Sequence, residues 1–253
     1  MVQQLVAALR NLSADVPRML FVDEHGSSRV RDVSDDLFAE PLERAQPVRD
    51  FFSWPGKRNY EGAWWCSTTY RLVRFESLLE RQAITWFDFD ESVVGLSSQP
   101  LALLWPRGTV GQSWHVPDLF LRHLNGTARV VDVRPLDRVD ADAREQFSRT
   151  RDACAVVGWG YEVFTGLTEQ VEANVRFLAG YRVDRCRPTD LEQTQLQEVF
   201  HGERPLDEGI DVLTAGTGTS RATALVHLYN LLWRRVLRLD LELPVRSNSV
   251  VTS

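Results

Sequence analysis

Asn125-Gly126 separates two runs of strand-forming residues, Leu119-Phe120-Leu121 and Val130-Val131-Asp132-Val133, and a turn there folds the chain back as a hairpin. How the turn closes decides what the hairpin can carry. A two-residue type I′ turn at Asn125-Gly126 would pair Leu124 with Thr127 and set Asp118 opposite Val133. Alternation would then send Asp118 and Asp132 to opposite faces of the sheet. A three-residue loop, Leu124-Asn125-Gly126 with Gly126 left-handed, pairs His123 with Thr127 and Asp118 with Asp132. The second register is the expected one, since only it gathers the acidic groups. Arg134 then shares the face of Asp132, while Val131 and Val133 enter the core.

The motif that results is His115-Val116-Pro117-Asp118 on one side and Val131-Asp132-Val133-Arg134 on the other. An Asp on the first strand and an Asp-x-Arg on the second are the ingredients of a magnesium-dependent nuclease centre. They can hold a divalent ion beside a phosphate. Nucleases of this pattern usually end in Lys where this chain has Arg134. The chain holds one lysine, Lys57, against 28 arginines, so arginine replaces lysine generally here. A guanidinium suits phosphate oxygens but cannot shed its proton, which closes the general-base role to Arg134. A metal-bound water can supply the nucleophile instead.

Two more carboxylates lie upstream, in a helix expected to open at Phe75-Glu76-Ser77 and to run to about Trp86. One helical turn separates Glu76 from Glu80, so both face one way. Taken alone, they read as a solvated helix face. Beside Asp118 and Asp132, Glu80 becomes the preferred third ligand and Glu76 an additional candidate, because a hard cation wants oxygen ligands.

Read in order, Ser77-Leu78-Leu79-Glu80, Ser92-Val93-Val94, Gln99-Pro100, Pro117-Asp118, Val131-Asp132-Val133-Arg134, Tyr161-Glu162-Val163-Phe164-Thr165 and Glu172-Ala173-Asn174-Val175-Arg176-Phe177-Leu178 form a series. It resembles the TnsA-like endonuclease subunit of heteromeric transposases, closely over residues 55–185 and more loosely beyond. The resemblance implies a restriction-endonuclease-like PD-(D/E)xK core that cuts the 5′ ends of a mobile element with Mg²⁺, for which Mn²⁺ can substitute. It also implies three partners: the double-stranded transposon ends, a DDE-type transposase subunit that handles the 3′ ends, and an AAA-type ATPase regulator. Carried over residue by residue, the family's catalytic Glu falls on Glu80 and its Asp on Asp118. Its Gln/Glu-x-Lys falls on Asp132 and Arg134.

The expected architecture is α/β, a mixed sheet flanked by helices with a small C-terminal winged-helix-like domain. Residues 1–55 form an N-terminal extension with an amphipathic helix at Met1–Arg18 and a hairpin around His25-Gly26. Residues 56–187 form the nuclease core, with a helix at Ala141–Val157, a strand at Trp159–Thr165 and a helix at Glu169–Tyr181. Residues 188–253 supply helices at Asp190–Phe200, Pro205–Leu213 and Ser220–Leu237, then a strand-like Leu239–Leu243, as a docking domain.

Charge and composition narrow the alternatives. A formal net charge of −6 argues against a chain that grips duplex DNA unaided. Weak intrinsic affinity suits an enzyme recruited by partners. No apolar run long enough for a transmembrane helix is present, and the N-terminus lacks the pattern of a signal peptide, so no membrane association and a cytoplasmic location are expected. Cys66, Cys154 and Cys186 are far apart and odd in number, which implies neither disulfides nor zinc. Two other readings stand beside the endonuclease: a catalytically weakened docking subunit bridging transposase and regulator, and a stand-alone restriction or repair nuclease.

Overall fold

The computed structural model describes residues 16–49, 60–105 and 113–253. Most of the amphipathic helix expected at Met1–Arg18 lies outside the described residues, as does Lys57. The architecture is mixed α/β, with several sheets and, among the described residues, six α-helices. None of those helices is long and apolar enough to cross a membrane.

In chain order the elements are β1 (Arg18–Val22), β2 (Ser28–Asp32), β3 (Gly62–Cys66), β4 (Arg71–Phe75), α1 (Leu78–Phe89), β5 (Val93–Ser98), β6 (Leu101–Leu104), β7 (Trp114–His115), β8 (Leu119–His123) and β9 (Ala128–Val133). Then come α2 (Ala141–Val157), β10 (Gly160–Phe164), α3 (Glu169–Leu178), α4 (Asp190–Val199), β11 (Arg204–Pro205), α5 (Leu206–Thr217), α6 (Arg221–Trp233) and β12 (Val250–Val251). Two compact units result, one of residues up to Asp88 with Ser92–Gly166, the other of Phe89–Glu91 with Leu167–Ser253. The division at Gly166 precedes the boundary read near Cys186-Arg187-Pro188. It falls there because α3 belongs with the C-terminal residues: buried Asn174 donates to the carbonyls of Leu241 and Leu243.

The first unit carries two four-stranded sheets, ordered β2-β1-β6-β7 and β10-β9-β8-β5. The second of these is mixed, with β10 parallel to β9 and its other pairings antiparallel. A parallel neighbour needs a crossover, and α2 provides it. Local chemistry sets the ends of α2: Asp140 accepts from the backbone N–H of Ala143 at 2.8 Å, and Gly158 closes the helix at φ +84°. Met19, Phe21, Leu101 and Leu103 of the first sheet share one core with Phe120, Ala128 and Val130 of the second and with Ala153, Cys154 and Val157 of α2.

The chain leaves one sheet for the other between β5 and β6, at Gln99-Pro100. Gln99 is buried and left-handed at φ +50°, a strained conformation for a residue with a Cβ. The hairpin around His25-Gly26 forms as β1–β2. Leu239–Leu243 does not form the strand that its alternation suggests. Asp240 instead accepts from the backbone N–H of Glu242, turning the chain locally.

Candidate active site

The β8–β9 hairpin closes on the three-residue loop. His123 N–H donates to the carbonyl of Thr127 at 2.9 Å, Gly126 N–H donates to His123, and Gly126 takes φ +84°. Strand pairing runs from Arg122 with Ala128 to Leu119 with Val131. One further step along that register puts Asp118 opposite Asp132. Both then share the face of Phe120 and Val130, as expected. The burial differs from the reading in one respect: Asp132 is buried at 3 % exposure, whereas Val133 is half-buried and lines a cleft. Both faces of the hairpin are covered: Leu119, Leu121 and Val131 are buried on the Val133 face, as expected of Val131, while Asp132 lies on the face that meets the core of α2 and the first sheet, and only Val133 at the strand end reaches the cleft.

Asp132 does not enter that core unpartnered. His115 Nε2 lies 2.7 Å from one carboxylate oxygen, and the Tyr161 hydroxyl donates to the other at 2.5 Å. The far ring nitrogen of His115, Nδ1, sits 2.5 Å from the Gln146 amide on α2. Burial and the Asp132 charge push the Tyr161 hydroxyl far up, so it remains a donor. The same two causes push the Cys154 thiol up to about 12. His115 opens the sequence motif, but its role and those of Tyr161 and Gln146 were not foreseen. No sequence signal marks them, since the parallel β10–β9 register that brings Tyr161 to Asp132 is set by the fold.

Asp118 is only partly satisfied. Its Oδ2 accepts from Val133 N–H at 2.7 Å, and among the described residues no donor reaches Oδ1. Burial, then the charges of Asp132 and Glu80, raise its pKa well above the usual carboxylate range. The Val133 N–H and the Arg49 guanidinium oppose this more weakly. Asp118, Asp132 and Arg134 line one cleft of about 300 Å³ with Arg49, His115 and Gln146. Arg134 is exposed there, its Nε donating to the carbonyl of Arg138 at 3.1 Å.

The helix that carries Glu80 starts later than expected. Phe75 ends β4, pairing with Gly62, and Glu76 and Ser77 form a bend before α1. Glu76 is therefore not on the helix. Ser77-Leu78-Leu79-Glu80 closes the helix start as a variant of the capping box, with the Glu80 side chain reaching Glu76 N–H: Glu80 N–H donates to Ser77 Oγ at 3.1 Å, Ser77 Oγ–H to Glu80 Oε1 at 2.9 Å, and Glu76 N–H to Glu80 Oε2 at 2.8 Å. Both Glu80 oxygens are thus turned to the helix start, and burial raises its pKa despite those bonds. Glu76 is taken as well. It pairs with Arg49 and accepts from the Gln99 amide at 3.4 Å.

The structure therefore brings Asp118, Asp132 and Arg134 to one cleft wall, with Glu80 contributing charge toward Asp118. Among the described residues no three His, Cys, Asp or Glu side chains converge as a metal cage. Some cations need fewer protein ligands than that. Mg²⁺ commonly takes one or two carboxylates and keeps its waters. Asp118 has an open oxygen and a strained negative environment, and each Asp132 oxygen keeps lone-pair capacity beyond its one bond. A comparison with protein-family models finds no match to the chain, and a comparison with curated proteins finds none either.

Proposed function

We propose that the protein is a metal-dependent DNA endonuclease, acting as the 5′-cleaving subunit of a heteromeric transposase. One observation carries the reading: Asp118 and Asp132 oppose each other across a hairpin, on a cleft that also presents Arg134. Two carboxylates beside a cation suit a phosphodiester and a divalent ion better than they suit an apolar ligand. Asp118 and Asp132 would hold Mg²⁺ or Mn²⁺, with Glu80 adding negative charge and Arg134 meeting the scissile phosphate. Bound there, the ion would supply an activated water and charge neutralisation. His115 and Tyr161 hold Asp132 in one orientation, and α2 screens its inner side from water.

On this reading the β10-β9-β8-β5 sheet with α2 is the restriction-endonuclease-like core. The order α4, β11, α5, α6, β12 suits a winged-helix-like docking domain. The six residues of α6 buried among its neighbours leave that helix to packing rather than to a DNA groove. Transposon-end DNA, a DDE-type transposase and an AAA-type regulator are the partners proposed, and the net charge of −6 suits recruitment by them.

The specific observation favouring the docking subunit instead is the engagement of both Asp132 oxygens by protein donors. Calorimetry with Mn²⁺ and a short duplex, on wild type and Asp118→Ala, separates the two. Metal binding that the substitution abolishes is the result expected of the endonuclease. Absence of binding in both proteins would overturn it and leave the docking reading.

A further inference from the structure

Arg49 lies outside every motif read from the sequence, yet it lines the cleft with Asp118, Asp132 and Arg134. Its guanidinium is held from behind. Nε donates to the Gln99 side-chain oxygen at 3.0 Å, and Nη2 pairs with Glu76. Gln99 bridges the same two partners, its amide reaching Glu76 at 3.4 Å. The backbone of Gln99 is tied on both sides: its N–H donates to the carbonyl of Asp118 at 2.8 Å, and its carbonyl accepts from Val48 at 2.8 Å. A buried side chain at φ +50° is a strained choice, and the surrounding bonds over-determine it. The anchor of Arg49 is thereby coupled directly to the backbone of Asp118.

An arginine carries five N–H donors. Among the described residues two of them are used, and the side chain retains 37 % exposure. The remaining donors are carried by a planar group whose position Gln99 and Glu76 define. Such a fork matches two oxygens of a phosphate. The alternative role, a closed structural ion pair, would not require the guanidinium to form part of a cleft wall.

We propose that Arg49 is a phosphate-binding residue of this cleft, aimed by Gln99 and Glu76, and that its ligand is a phosphodiester of the DNA backbone. This rests on the nuclease reading. Arg49 and Arg134 then flank the Asp118–Asp132 pair with two cations, and Gln99 is a positioning residue that acts through Arg49.

The test is the salt dependence of duplex binding by the full chain, without metal, for wild type, Arg49→Gln and Gln99→Gly. Losing one phosphate contact lowers the slope of log K against log salt by about 0.9, and removing a charged hydrogen bond weakens binding roughly tenfold at fixed salt. Arg49→Gln is expected to show both effects. Gln99→Gly suits the left-handed backbone and keeps the Arg49 charge, so its slope should stay at the wild-type value while affinity falls several-fold. An unchanged slope in Arg49→Gln overturns the proposal, as does a wild type that binds no duplex. If Arg49→Gln fails to fold by circular dichroism, unchanged affinity in Gln99→Gly overturns it. Inorganic phosphate, titrated calorimetrically, separates the sources: phosphate binding lost in Arg49→Gln with no change in duplex slope would mark a free-anion site and overturn the DNA assignment. A reduced slope together with no Mn²⁺ binding in any variant would keep Arg49 on phosphate and remove the catalytic reading alone.

Discussion

Tyr161 on β10 donates its hydroxyl to Asp132 at 2.5 Å, across the one parallel pairing of its sheet. Tyr161 pairs in register with Val130, two residues before Asp132, so the bond runs diagonally along a shared face. With His115 on the other oxygen, the carboxylate is fixed from two sides. If Asp132 holds the proposed cation, removing an outer partner that orients it should cost affinity, typically 10–100-fold.

Tyr161→Phe is accordingly expected to weaken Mn²⁺ binding about 10-fold and to cost about 1–3 kcal/mol of stability. Calorimetry and urea unfolding read the two effects separately. A loss of stability with unchanged metal affinity would leave Tyr161 a packing residue only.

Asp118 yields a prediction in pH. Burial and the charges of Asp132 and Glu80 raise its pKa in the folded state above the unfolded value. Ionisation therefore opposes folding. The penalty is absent below the ordinary carboxylate range, grows as pH rises, and is complete above the folded-state pKa. Asp118→Asn should raise the Tm at neutral pH by about 2–6 °C, with the gain closing as pH falls below about 4. Added Mn²⁺ should raise the wild-type Tm and leave the variant unmoved. A gain that is the same at every pH would show that relieved repulsion is not its cause.

The parts of this arrangement that depend on neighbours in sequence were legible before the structure. Gly126 in a three-residue loop fixes the register of β8 on β9, and Asp140 with Gly158 bounds α2 at the residues expected. Ser77-x-x-Glu80 could have been read as a capping box, which would have moved Glu76 off the helix and turned Glu80 toward its own helix start. The companions of Asp132 were out of reach, because His115, Gln146 and Tyr161 meet it only through the β10 register and the packing of α2. Arg49 was out of reach for a similar reason: its position depends on a left-handed glutamine at a switch between sheets. Leu239–Leu243 shows the opposite failure, an alternating pattern overridden by a turn at Asp240.

In the second unit, Asn174 holds that same segment. Its amide donates to the carbonyls of Leu241 and Leu243 at 2.8 Å each, and its side-chain oxygen accepts from Gln170 at 3.1 Å. Asn174→Ala would remove the donor from both carbonyls, which water can partly replace at the exposed Leu243, at a cost of about 1–2 kcal/mol. Hydrogen exchange should then quicken across residues 238–246, while α5 and α6 keep their protection. Uniform loss across the unit would mean that Asn174 supports the whole fold rather than this strap.

Asp88, near the end of α1, performs the corresponding task for the β3–β4 hairpin. Its buried carboxylate accepts from Trp64 Nε1 at 2.9 Å, from the backbone N–H groups of Ser67 and Thr68 at 3.1 and 2.9 Å, and from both their hydroxyls. The Cys66 thiol sits 3.2 Å away, its pKa pushed up to about 12 by burial and then by the Asp88 charge, so it remains a thiol. A carboxylate can accept from this many donors because it donates none. Asp88→Asn replaces one acceptor with an NH₂ facing other donors, and should destabilise the protein by about 2–4 kcal/mol. Exchange protection should fall first over residues 62–75, and the β8–β9 hairpin should keep its own, because the Gly126 loop and the β8–β9 strand pairing are untouched. Loss of Mn²⁺ binding in Asp88→Asn with the β8–β9 hairpin still protected would contradict this account, since among the described residues the hydrogen bonds of the Asp118 and Asp132 carboxylates run to Val133, His115 and Tyr161, outside the hairpin Asp88 secures.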